Sequence, residues 1–519
     1  MANYNTDLEI IDLCETSGDF STISVSGSGN MALGAGEDFV FQGTNAVDVK
    51  IGGAALRGMV TDGGLSGITN TAGIHFFIWC QTATAGVMDT KAAGGKRMVV
   101  GSSTSNYMEF YVDGKDTNLE GGYKCYPIRY TTTADNPNGI YSNGSPAATP
   151  SVFGAMLKNT GVTVKSSNFS VDAIRYGDGL LYIDGTGATF ALAAAASDDT
   201  LTKWGILTPI EGGVSLKGNL IVGQDDTGVA TSATFTDDGV LIAFSDTEFS
   251  ESTFSKFSVD HASTVATLTN CTFLAIGTNN RGQIVGLNAS STVAMNTCNF
   301  SGMGISSLEA GWTMTSCSWV GCDQITTNGA SLVGGSVTDS TNTSALVTDT
   351  LSEIDLVTFN SDGTGHAVEM PTQVTSNRAE PWTCKETGYG ATATSDATIL
   401  CNVAAGITLT INVAGGASVP TYLNTNAPDG TVTVVAGATI EVTNLVTGSR
   451  VRVTRDDNTN EIFNGVESSG TISFGTSYAG TFTVTVRKAS SAPFYQEWLG
   501  GGTSTIGLTS SVKALQQSD

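Results

Sequence analysis

The chain has 519 residues, too many for one ordinary domain, and only 14% of them are charged while 63 are Gly. With 40% apolar residues, that balance excludes a disordered chain and a charge-rich helical enzyme, and points to extended β structure. The formal net charge of −25 argues against a nucleic-acid partner, because phosphate binding needs a basic surface.

The opening Met1-Ala2-Asn3-Tyr4-Asn5-Thr6-Asp7 has no basic or apolar leader, and no apolar run of about 18 residues comes after it. Neither a secretory signal nor a membrane helix is expected, and synthesis in a reducing cytoplasm is. The 9 cysteines are odd in number, and Trp79-Cys80 and Leu400-Cys401 stand in apolar strand settings, so buried thiols are expected in place of a disulfide framework.

Residues 1–157 read as a first β-sandwich. Strand signals recur at 22–25, 39–41, 97–100, 107–112 and 123–130. Gly73-Ile74-His75-Phe76-Phe77-Ile78-Trp79-Cys80 is the most apolar run, as expected of a central strand. Asp89-Thr90-Lys91, Gly94-Gly95-Lys96-Arg97, Ser105-Asn106-Tyr107, Glu109-Phe110-Tyr111-Val112 and Gly121-Gly122-Tyr123 occur in order. As a set they resemble a lectin-like sandwich module that precedes β-helices in structural proteins of tailed bacteriophages. The resemblance implies a virion protein made in the host cytoplasm. It does not imply that this copy binds sugar. Turn-rich residues 131–150 close the module, and residues 153–159 are expected to cap the first coil of the next region.

Residues 158–370 carry a recurring motif: Ser167-Asn168-Phe169, Asn270-Cys271-Thr272-Phe273, Thr297-Cys298-Asn299-Phe300, Ser316-Cys317-Ser318-Trp319 and Val357-Thr358-Phe359. Small or thiol, then polar, then aromatic is the period-2 pattern of a strand with one buried face. Its return at 27 residues and then 19 predicts stacked parallel coils, since one such coil cannot bury its apolar face alone. Cys271, Cys298 and Cys317 are expected in one interior column, and Phe273, Phe300 and Trp319 in the next. Asn and Asp beside Gly supply the corners, while residues 191–196, rich in Ala, favour a local helix.

Residues 361–368 resemble the last coil of such phage β-helices, residues 371–406 read as a transition, and residues 407–491 as a small Ig-like sandwich of antiparallel strands. Residues 446–453 and 478–482 resemble C-terminal modules of the same phage proteins. Arg450 and Arg452 face one side of their strand, with Arg487-Lys488 extending the strip. They are read as a docking site for an acidic partner subunit or as a solvated strand face. Residues 492–519, with Phe494, Tyr495, Trp498 and Leu499, read as a tail ordered against a neighbour.

For chemistry the sequence offers little. His75, His261 and His366 are far apart, and no Cys-x-x-Cys, His-Glu-x-x-His or serine-elbow pattern occurs; Cys317 and Cys322 lack a second pair for zinc. No cofactor is expected, though residues 158–360 hold 20 acidic against 7 basic residues, which leaves room for a structural divalent cation. The carboxylates weighed for glycan cleavage are Asp260, Glu309 and Asp323, with Trp204 and Trp312 as sugar-stacking surfaces. Asp225-Asp226 and Asp237-Asp238 are adjacent pairs that point to opposite faces of a strand.

The expected fold class is all-β: a right-handed parallel β-helix flanked by an N-terminal β-sandwich and a small C-terminal Ig-like β-sandwich. The expected function is a non-enzymatic virion structural protein, a tail fibre, tailspike or head decoration, in contact with other virion proteins and host glycan. The resemblance implies a homo-oligomer, with a trimer preferred, and no membrane. Two other readings stay open: a polysaccharide-cleaving tailspike and a non-viral surface adhesin.

Overall fold

The structure is a computed structural model that describes residues 3–12, 14–15, 20–26, 30–35, 47–52, 57–62, 75–82, 95–103, 105–111, 123–129, 141–145, 150–158, 168–184, 189–195, 204–225, 227–229, 232–245, 255–276, 282–361, 363–414, 416–426, 430–457, 460–467, 469–476, 478–488, 492–505 and 509–518. Asp89-Thr90-Lys91, Gly121-Gly122, Asp226 and the turns at 131–140 lie outside the described residues. The chain is all-β, with an α-helical turn at Leu192–Ala195 and a 3-10 turn at Leu351–Glu353. It divides into two units, residues 1–293 with 298–306, and residues 294–297 with 307–519.

The first unit opens on two antiparallel sheets. One runs Asn30–Ala35, Val47–Gly52, Asn168–Gly177, His75–Thr82, Tyr123–Arg129, with Glu9–Asp12 also on Asn168–Gly177. The other runs Phe20–Ser26, Arg57–Asp62, Val152–Lys158, Gly95–Ser103, Asn106–Tyr111, Tyr141–Asn143. Phe76 and Phe153, both fully buried, stack across them at 6.3 Å.

Two sequence expectations fail here. Ser167-Asn168-Phe169 is not a coil motif, because Asn168–Gly177 pairs antiparallel with His75–Thr82 around a bulge in which Ala173 takes φ 50°. Residues 153–159 are not a cap either, since Val152–Lys158 is a strand between two others. The antiparallel sheets therefore extend past residue 157, to Asn168–Gly177. The end of the following stack is covered by Asn3–Thr6, antiparallel on Leu180–Asp184. Thr6 Oγ1 donates to the Leu180 carbonyl (2.9 Å), and Leu180 N donates to Asp7 Oδ1 (2.6 Å). A reversed terminal strand of this kind blunts an open sheet edge.

From Leu180 the strands pair in parallel, one rung upon the next. One ladder is Leu180–Asp184, Asn219–Val222, Ser255–Val259, Gly282–Gly286. A second is Thr189–Phe190, Thr234–Asp238, Val265–Thr269. The third is Gly213–Leu216, Leu241–Ser245, Thr272–Ile276, Asn299–Ser301. Phe273 lies opposite Phe300, their rings 4.8 Å apart and 15° from parallel, and Phe257 and Phe244 close on Phe273 at 6.2 and 6.4 Å. Asn299 N donates to the Cys271 carbonyl at 2.9 Å, so Cys271 and Cys298 occupy successive rungs.

The second unit repeats the pattern. Its ladders are Ile325–Thr326, Ser344–Val347, His366–Val374, Ile399–Val403, Tyr422–Asn424; Trp312–Thr315, Ser331–Val333, Ile354–Asp355; and Ser318–Val320, Ser336–Thr338, Thr358–Asn360, Lys385–Thr387. A further parallel sheet joins Arg378–Trp382, Thr408–Val413 and Thr431–Ala436. Residues 371–406 are thus not a transition, and the strands at 409–413 and 431–435 are not antiparallel. Alternating Val and Thr marks a strand with one buried face and carries no information on its direction.

Antiparallel pairing resumes at Ala438. Ala438–Thr443 with Ile472–Thr476 forms one sheet, and Glu461–Val466, Arg450–Arg455, Gly480–Lys488, Tyr495–Ser504 form another. Ile440, Val442, Val451, Val453, Phe482, Val484 and Val486 fill the core between them. The reading of the last residues as a tail ordered only against a neighbour is corrected: Tyr495–Ser504 completes the second sheet, and Thr509–Lys513 adds in parallel to Ala438–Thr443 of the same chain.

The corner that makes the motif recur is now visible. Gly239, Asn270, Thr297, Ser316, Gly334 and Leu356 each precede a third-ladder strand with φ of 52–71°. Gly and Asn reach that conformation cheaply, and other residues at a cost of about 1–2 kcal/mol. Leu356 is 64% exposed and has little packing to set against that cost. Leu356→Asn is expected to raise stability by about 1 kcal/mol, read as a later urea midpoint, whereas Leu356→Ala, which keeps the strain, is not.

Candidate functional site

Apart from Glu309, the described carboxylates singled out from the sequence accept hydrogen bonds from their own turns or from a neighbouring segment. In the first unit Asp260, after Ser255–Val259, accepts from His261 N at 2.7 Å. Asp225 Oδ1 accepts from Thr227 N, Thr227 Oγ1 and Val229 N, and these bonds, the hydroxyl first, hold its carboxyl below the usual range. Asp237 is buried and accepts from Leu192 N, while Asp238 is exposed and accepts from the Asn270 amide, so the pair does straddle its strand.

In the second unit Asp323 Oδ1 accepts from Gln324 N and the Asn342 amide. Glu309 opens the turn in which Trp312 N donates to its carbonyl at 2.8 Å, and burial pushes its carboxyl upward. A carboxyl raised in the folded state favours the neutral form. Its contribution is present below the unfolded value near 4.5 and lost as pH rises through the folded one. Glu309→Gln is expected to reduce the fall in stability between pH 4 and 7, measured as urea midpoints against the wild type.

The aromatic candidates are engaged as well. Trp312 is 1% exposed, which corrects its reading as a sugar-stacking surface: it fills the interior at the head of Trp312–Thr315. Trp204 is half-buried with the buried Arg175 guanidinium 5.1 Å from its ring centroid. His366 is buried with Nδ1 2.6 Å from the Ala397 carbonyl, and His261 Nδ1 accepts from Ser263 N. The His75 side chain lies outside what is described.

The thiols are structural. Cys14, Cys271, Cys298, Cys317, Cys322, Cys384 and Cys401 are buried and unbridged. A hydrogen bond shared with Cys298, then burial, pushes the Cys271 thiol far up; burial takes Cys384 to about 11 and Cys401 to about 12. These three thiols therefore stay protonated at neutral pH. Among the described residues no group of three His, Cys, Asp or Glu is placed to hold a metal ion.

Sequence reasoning missed two polar features of the second unit. At one corner Glu353 accepts from the Thr327 and Thr348 hydroxyls. Glu380, 5% exposed, accepts from Thr350 Oγ1 at 2.7 Å and Leu351 N at 2.9 Å and makes an ion pair with Arg378, Nε to carboxylate oxygen 3.1 Å. Thr350 caps the 3-10 turn, and Thr348-Asp349-Thr350 ahead of Glu353 is the signal that sequence could have supplied. The second feature is Glu386. The interior column Trp319, Val337, Phe359 continues in register to Glu386, whose carboxyl burial pushes up. Burial, then Glu386 and Asp339, push the nearby Tyr389 phenol well above its usual range. Of these groups Glu353 and Glu380 have their carboxylates fixed by hydrogen bonds.

No known family matches the chain, and no curated protein matches it. Among solved structures it is similar to a family 11 carbohydrate-binding module from Clostridium thermocellum in complex with a β-1,3-1,4-mixed-linked tetrasaccharide, at 12% identity over 33% of this chain and 94% of that one, TM-score 0.23. A structure described for the promiscuous specificity of carbohydrate-binding modules of the β-sandwich superfamily is 13% identical over 31% and 58%, TM-score 0.18. The Agl-KA catalytic domain is 9% identical over 83% and 98%, TM-score 0.17. Scores this low bear on neither fold nor function.

Proposed function

We propose that the chain is a non-enzymatic structural protein of a tailed-phage virion, a tail fibre, tailspike or head decoration, working as a homotrimer and touching host glycan. In this reading the parallel ladders of each unit are turns of a right-handed β-helix, the N-terminal sheets a lectin-like sandwich and the C-terminal sheets a small Ig-like sandwich. The observation that supports it best is what occupies the carboxylates. Asp260, Asp323, Asp225, Asp237, Glu353 and Glu380 are each bonded to a turn or corner. A protein selected for hydrolysis keeps two carboxyls about 5–10 Å apart and open to substrate. A protein selected for architecture spends them on corners.

Two measurements test the reading. Antibody labelling of intact particles is expected to place the chain on tail or head; a chain absent from particles removes the virion assignment. Incubation with acidic polysaccharide is expected to release no reducing ends and no unsaturated products. Turnover that disappears in Glu386→Gln or in Asp260→Asn would make the protein a glycan-cleaving enzyme instead.

A further inference from the structure

On the C-terminal four-stranded sheet, Val451, Val453, Val484 and Val486 point into the core, and Arg450, Arg452 and Arg487 point out and are exposed. Arg450 and Arg487 are direct partners across adjoining antiparallel strands. Like charges placed opposite one another on a sheet destabilise it, so their juxtaposition is a cost that the isolated domain does not recover. Arg452 is different, since its Nε makes an ion pair with Glu461 at 2.6 Å. Arg450 Nε donates to Asn464 at 2.8 Å, a neutral partner. Among the described residues no carboxylate pairs with Arg450 or Arg487.

We propose that Arg450 and Arg487 form the docking site for carboxylates on a second copy of this chain. The complementary charge is on the chain itself: residues 158–360 hold 20 acidic against 7 basic residues, while from residue 410 on the count is 8 against 6. Glu211, Asp238, Asp339 and Asp349 are exposed members of that excess. Arg450 meets Asn464 through Nε alone, which leaves the outer guanidinium edge for a two-pronged carboxylate contact. A carboxylate shared between the two arginines turns a repelling pair into an attracting triad. The site rests on the homo-oligomer part of the proposed function, and it reassigns the strip read from sequence: Arg487 joins Arg450, and Arg452 serves its own sheet.

Sedimentation of the full chain tests this. Wild type is expected to self-associate at about 0.05 M salt and to dissociate towards 0.5 M. Arg450→Gln with Arg487→Gln is expected to weaken association by at least about 10-fold, and Arg452→Gln by less than about 3-fold. The double variant is expected to melt no lower than wild type, because a like-charged pair has gone. Association unchanged in the double variant overturns the docking site and leaves the oligomer. A chain monomeric at every concentration and salt overturns both, as does an acidic polysaccharide bound through these arginines by a monomer. Should the double variant unfold, excess poly-glutamate added to the wild type decides the same question: it dissociates the oligomer if the site is as proposed, and leaves it intact if not.

Discussion

Phe273→Ala is expected to cost about 3–5 kcal/mol, the largest loss of any single truncation in the first unit's ladders. The side chain is fully buried and meets three other rings: Phe300 one rung on at 4.8 Å, Phe257 at 6.2 Å and Phe244 at 6.4 Å. Deleting the ring removes its transfer free energy and leaves a hole that the column cannot close, because strand spacing is set by backbone bonds to the rungs on either side. The ring contacts add about 0.5–1.5 kcal/mol each beyond burial. Cys271→Ala, two residues earlier on the same strand face, removes one sulfur and is expected to cost about 1 kcal/mol. Urea titrations of both variants check the contrast; equal losses would mean that the aromatic column is not what holds the rungs.

That contrast also explains how much of the fold could be read from sequence. Asn270-Cys271-Thr272-Phe273 was legible because three requirements coincide within it: a left-handed corner, a small buried thiol, and an aromatic on the same face. The motif misled at Asn168-Phe169, where an identical look belongs to an antiparallel strand, since strand direction leaves no mark on the alternation. It fell silent after Phe359 for a physical reason: the next rung puts Glu386 in the aromatic position. Polarity there hid the continuation of the parallel strands to Ala436. Sequence placed Trp312 as accessible because an indole at a turn reads the same whether it faces solvent or core. The Glu353 and Glu380 corner was missed because its threonine partners come from different rungs, and proximity between rungs is a property of the winding.

The strongest backbone constraint in the second unit is at Gly335, and Gly335→Ala is expected to cost about 2–4 kcal/mol. Where another turn carries Cys317, this one carries Gly335, and Ser336 N donates to the Cys317 carbonyl at 2.9 Å, which fixes the two positions one above the other. Gly335 takes φ 81°, and a Cβ built on it would lie 1.9 Å from the Cys317 carbonyl oxygen. That atom is backbone and already committed to the rung bond, so it cannot withdraw without breaking the pairing of Ser318–Val320 with Ser336–Thr338. A methyl group must therefore open the rung or force the corner out of the left-handed region, and each outcome strains a non-glycine residue. Gly334→Ala is the control. It has φ 67° but its nearest neighbour is the Ser316 hydroxyl oxygen at 3.5 Å, so it is expected to lose only the conformational part, about 1–2 kcal/mol. Hydrogen exchange at Ser336 and Thr358 amides distinguishes the two, with protection lost at both in Gly335→Ala and kept in Gly334→Ala. Equal exchange in the two variants would show that the close approach to Cys317 is not what reserves this position for glycine.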